Sequence, residues 1–167
     1  MKFLKKINTI LDPPVSIELE LQIASSAKTL PHPAQFREWV SIALSGQVDT
    51  AELTIRIVDE EESSQLNYQY RDKTGPTNVL SFPYEPMPGI ASRLLGDIVI
   101  CAPIVEKEAE EHNKPLIAHW AHMVIHGTLH LLGFNHEVES EAIEMEELET
   151  SLMLRLGFPP PYGDKLE

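Results

Sequence analysis

The sequence predicts an α+β protein, a sandwich in which a mixed four-stranded sheet is packed with about five helices. Two observations carry this. Segments with the two-residue apolar period of strands are intermixed with segments of helical period, without strict alternation along the chain. One helical segment, between Pro115 and Gly133, is apolar on nearly every side (Leu116, Ile117, Trp120, Met123, Val124, Ile125, Leu129, Leu131, Leu132), so it belongs in an interior. With 167 residues the chain can bury a sizeable core without disulfides. It reads as a flexible N-terminal arm at 1–14, a single domain at 15–158 and a C-terminal tail at 159–167.

The elements follow in order. Val15, Ile17, Leu19, Leu21 and Ile23 alternate with polar residues, which predicts a half-buried strand with one wet face. Pro33 suits the first turn of a helix with the stripe Phe36, Trp39, Val40 and Ala43, ending near Gly46. A second strand is expected at Leu53–Val58. Asp59 can then cap a helix, with Glu62 as its reciprocal partner, and that helix runs out near Arg71. Thr77–Phe82 and Gly96–Cys101 read as the third and fourth strands, separated by a loop with three prolines. Pro103 opens a short helix to about His112, Pro115 opens the apolar helix, and a last helix spans about Glu137 to Leu156. Gly157 stops it.

Composition narrows the function. A net charge of −13 argues against a protein that coats nucleic acid nonspecifically, although a local basic patch remains compatible with it. Seven glutamates between Glu137 and Glu149 read as a solvated helix face. The single cysteine, Cys101, lies in an apolar run and cannot form an internal disulfide, which suits a reducing cytoplasm. The charges of Met1–Lys6 are followed by too short an apolar segment for a signal peptide, and no stretch approaches a membrane span. A cytoplasmic location without membrane partners is the expectation.

The chemistry concentrates in His126-Gly-Thr-Leu-His130-Leu-Leu-Gly-Phe-Asn-His136. Two histidines four apart project from one face of a helix. Gly133 can end the helix at positive φ, so that His136 returns over the same face. Three histidines with an open fourth position are the pattern of a catalytic zinc site, one ion per chain. His119 and His122 extend the same stripe and are expected to fill the groove with hydrogen bonds. His32 and His112 are expected at the surface.

The run matches the spacing of the metzincin peptidases with one departure, because the general-base glutamate after the first histidine is here Gly127. Peptide hydrolysis needs that base, whereas a phosphodiester can be cut with its charge held by arginine. Arg71, Lys73 and Arg93 are the candidate cations, to be weighed against ordinary solvent-facing loop charges.

The histidine run resembles the signature of the YbeY family of metal-dependent endoribonucleases. Leu66-Asn67 with Tyr70-Arg71, Thr77-Asn78-Val79-Leu80-Ser81-Phe82-Pro83 and Gly96-Asp97-Ile98 resemble that family's other blocks, in the same order, over about 53–137. The resemblance implies a zincin-like fold, one Zn²⁺ on His126, His130 and His136, and cleavage of single-stranded RNA. It also implies a required Arg71, gripping the scissile phosphate. Maturation of small-subunit ribosomal RNA and ribosome quality control would follow, with ribosomal RNA and the small subunit or its assembly factors as partners and no role for DNA. Asn135 replaces the aspartate usual before the third histidine, so it can accept a hydrogen bond but brings no charge. His122 and Asp97 are candidates for proton transfer or for supporting the ligands. The alternatives are a ribosome-assembly binding factor with a structural zinc and, on the missing base, less readily a metallopeptidase.

Overall fold

Alternating apolar residues along Ile17–Leu21 give the first strand one half-covered face and one wet face, while Ile23, expected on the covered face, is exposed at the strand's end. The chain then builds outward from this edge. The computed structural model describes residues 14–163. The expected arm, apart from Pro14, lies outside the described residues, as do positions 164–167. The elements are β1 (Ser16–Ala24), α1 (Pro33–Leu44), β2 (Thr50–Val58), α2 (Glu60–Arg71), β3 (Val79–Pro83), β4 (Leu94–Cys101), α3 (Ala102–Glu111), α4 (Leu116–Leu131) and α5 (Glu139–Arg155). The sheet order is β1-β2-β4-β3, with β1, β2 and β4 parallel and β3 antiparallel to β4. The fold is therefore the expected α+β arrangement of a four-stranded mixed sheet and five helices.

Two apolar layers hold it. On one face Leu53, Ile55, Ile57, Ile98 and Ile100 pack with Trp39 of α1 and Trp120, Val124, Ile125 and Leu129 of α4, all fully buried. The Phe36 ring meets both Trp39 and Trp120 edge-on, at 5.8 and 5.9 Å between centroids. On the other face Val58, Leu80, Val99 and Cys101 pack against Leu66 of α2 and Ile104. Cys101 is thus a core residue, as its apolar run implies. Among the described residues no helix is long and apolar enough to cross a membrane.

Local chemistry moves some boundaries. β3 begins at Val79 rather than Thr77 because the Ser63 hydroxyl takes both backbone groups of Thr77, each at 3.0 Å, away from the ladder. The capping pair expected at the start of α2 does not form. Asp59 occupies the cap position, but its carboxylate accepts from the Ser25 hydroxyl (2.5 Å) and from the backbone and hydroxyl of Ser26 (3.0 and 2.9 Å). These bonds hold the Asp59 carboxyl below its usual range. Glu62 instead grips Arg56 with two bonds of 2.6 and 3.0 Å, a charge-assisted fork that outcompetes a neutral backbone donor. A capping box forms one helix earlier, where His32 Nδ1 accepts from Ala34 and Gln35 reaches back to the His32 amide.

Candidate metal centre

The buried helix α4 sets the site by presenting His126 and His130 one turn apart. Its end is a turn built on Gly133 at φ +101°, a region other residues rarely adopt. The Gly133 amide donates to His130 O at 3.0 Å and the Phe134 amide to Leu129 O at 3.1 Å, the paired bonds of a Schellman stop. The chain reverses there, and His136 comes back beside the two helical histidines. Its ring centroid lies 5.6 Å from that of His126 and 5.0 Å from that of His130. One nitrogen from each of the three rings falls within 4.8 Å of the others.

Hydrogen bonds fix which nitrogens face inward. His126 Nδ1 lies 3.0 Å from Glu149 Oε2, and His130 Nδ1 lies 2.8 Å from Phe134 O. Carboxylate and carbonyl oxygens only accept, so both Nδ1 atoms carry the proton. Their Nε2 atoms then confront each other at 3.0 Å as two lone pairs. Protonation of His130 does not relieve this, because burial and then the neighbouring His126 push its pKa down to about 4. Two facing imidazole lone pairs with a third histidine alongside fit a cation shared among them.

The histidines open into a groove of about 520 Å³, also lined by Arg71, Thr77, Asn78, Ser81 and Asn135. Arg71 is the last residue of α2, exposed and without a hydrogen-bonded or ionic partner among the described residues. Asn78 and Ser81 are committed elsewhere. The Asn78 amide donates to Glu108, which also takes His119 Nε2 at 2.9 Å, and the Ser81 hydroxyl donates to Gly127 O at 3.0 Å. Asn135 lines the groove, but its side-chain oxygen lies 3.4 Å from the Glu137 amide rather than against a ligand.

The other expected residues fall in different places. Asp97 is not at this centre. It is exposed on the opposite face of the sheet from its neighbour Ile98, which packs under α4, and it borders a separate cavity of about 600 Å³ with Arg56, Tyr70 and Phe82. His32 and His112 are exposed, and His119 and His122 are buried. Both make the hydrogen bonds anticipated for them, and His122 also comes within 6.1 Å of the His126 ring. Glu149 was missed. Among seven glutamates read as a solvated face, it is 1% exposed and bonded to His122 and His126. The signal was its register, because Met145, Glu149, Leu152 and Met153 form the buried stripe of α5. Burial alone would raise its carboxyl, but the bonds from His122 and His126 hold it at about 2.

Gly127 has a packing reason. A Cβ there would meet Ile98 Cγ2 at 2.8 Å and Ser81 Oγ at 3.3 Å, so α4 sits on the sheet through this glycine. Gly127→Ala gains about 1 kcal/mol of helix propensity against about 1–3 kcal/mol of overpacking. Thermal unfolding should show a net loss of stability, and a melting temperature above that of the wild type would mean that Ile98 yields freely.

The sequence matches the family described as Endoribonuclease YbeY over residues 21–157. The chain belongs to the YbeY family. Among solved structures it is similar to the solution structure of TM1509 from Thermotoga maritima, at TM-score 0.57 and 28% identity. That match covers 80% of this chain and 86% of the other. YbeY membership supports a hydrolytic endoribonuclease role in ribosomal RNA processing.

Proposed function

We propose that this YbeY protein is a zinc-dependent endoribonuclease specific for single strands, acting in small-subunit ribosomal RNA maturation and ribosome quality control. One arrangement carries the reading: three histidines with inward-facing nitrogens share a groove with an arginine that has no hydrogen-bonded or ionic partner among the described residues. A zinc ion bound by His126, His130 and His136 supplies Lewis acidity toward a phosphoryl oxygen and toward water. Arg71 binds the scissile phosphate through its planar fork and offsets the charge that grows there. His126 and His130 keep their Nδ1 protons throughout, held by Glu149 and Phe134 O. The buried wall of Ile98, Ser81 and Gly127 keeps the histidine helix seated at a fixed depth.

The rival reading, an assembly factor with a structural zinc, is favoured by the absent carboxylate at Gly127 and by the net charge of −13. Packing accounts for that glycine without it. The test incubates protein carrying one zinc per chain, free of contaminating nucleases, with an RNA strand alone and annealed to its complement. Cleavage of the single strand only is expected, and zinc-loaded protein that cuts neither would end the nuclease reading.

A further inference from the structure

Beneath the three histidines lies a second cluster, formed by His122, His126 and Glu149, with Tyr162 beside it. Its donor set could suggest another metal, but the geometry is that of hydrogen bonds. His122 Nε2 and His126 Nδ1 approach the same oxygen, Glu149 Oε2, at 2.6 and 3.0 Å. The Tyr162 hydroxyl donates to the other oxygen, Oε1, at 3.0 Å. A cation here would also require His126 to surrender its Nδ1 proton while Nε2 serves the first site. A neutral imidazole has one proton to place. The carboxylate, itself 1% exposed, therefore accepts three donors, and none of its surroundings is bulk water.

The geometry points to Glu149 as a positioning residue for the metal centre, fixing the His126 ring with its proton on Nδ1 and its Nε2 lone pair toward His130, with Tyr162 locking the carboxylate in place. The inference rests on the reading of His126 as a zinc ligand and deepens it. It gives residues 159–163, expected to be part of a tail, a definite task. Pro161 is buried, its carbonyl accepts from Lys114 Nζ at 2.9 Å, and this anchor places Tyr162 against Glu149. An acceptor behind a ligating histidine sets its tautomer and raises its basicity.

The experiment measures zinc affinity by competition with a chelator for the wild type, Glu149→Gln, Tyr162→Phe and Arg71→Ala, and reads histidine tautomers of the metal-free proteins by nitrogen NMR. Glutamine keeps the shape and one acceptor oxygen, so that variant tests the carboxylate rather than the fold. Glu149→Gln should weaken zinc binding about 10- to 100-fold and shift His126 away from the pure Nδ1–H form. Tyr162→Phe should shift affinity in the same direction by less, and Arg71→Ala should leave it unchanged. Wild-type affinity together with an unchanged His126 tautomer in Glu149→Gln would overturn the inference. If the wild type cuts no RNA while zinc affinity still depends on Glu149, the nuclease reading falls and this one stands. A wild type that binds no zinc removes both.

Discussion

An Arg71→Ala variant should keep its zinc and its fold while losing cleavage of single-stranded RNA by about 100- to 1000-fold in kcat. The magnitude is that of removing one charge-stabilising donor from a preorganised site. The specificity of the effect comes from where Arg71 sits. It closes α2, and the next residue, Asp72, turns the chain at φ 55° through backbone bonds that do not involve the guanidinium. No described residue relies on the side chain for a hydrogen bond or an ion pair. Melting temperature and zinc content should therefore match the wild type. Arg71→Lys should recover only part of the rate, because an ammonium keeps the charge but lacks the planar fork. Single-turnover cleavage of a defined RNA measures both variants, and wild-type rates in Arg71→Ala would remove this residue from the mechanism.

Removing the metal should abolish cleavage and lower the melting temperature without melting the histidine helix. Zinc at a hundredfold excess over its dissociation constant stabilises the folded state by about 2.7 kcal/mol. For a domain of this size that corresponds to a shift of about 5–11 °C. The helix survives because its burial does not depend on the ion. Trp120, Val124, Ile125 and Leu129 are wholly enclosed between α1 and the sheet. Circular dichroism of chelator-treated protein at room temperature should show undiminished helix, followed by an earlier thermal transition. Loss of helix at room temperature would instead favour the structural-zinc reading.

The histidine helix, its glycine stop and the four strands were legible because each rests on a local pattern. Period, cap chemistry and the positive φ of Gly133 act within a few residues. Asp97 was misplaced for a physical reason. β4 is apolar on both faces, with Ile98 and Ile100 on one and Val99 and Cys101 on the other, so alternation alone does not assign its faces. Glu149 hid in a run whose composition is that of a wet surface, and only its register with Met145 and Leu152 marked it as inward. The pairing of Asp59 with Ser25 and Ser26 joins positions more than thirty residues apart, which no local rule anticipates. Arg71 lines the groove together with Val79 and Ser81 of β3 and with the histidines, segments that the fold rather than nearness in sequence brings beside it.

The sheet order has a consequence for how the protein is made. β4, a central strand, is the last one in the chain, and every candidate ligand lies after it, from His126 to His136. As the chain leaves the ribosome, the four strands emerge before the histidines do, so the metal helix meets a surface whose parts are already present. Glu149 and Tyr162 arrive later still. Synthesis thus delivers the sheet first, the three histidines second and the groups that brace them last. The full set of bonds behind His126 can close only when the chain has been extended through Tyr162.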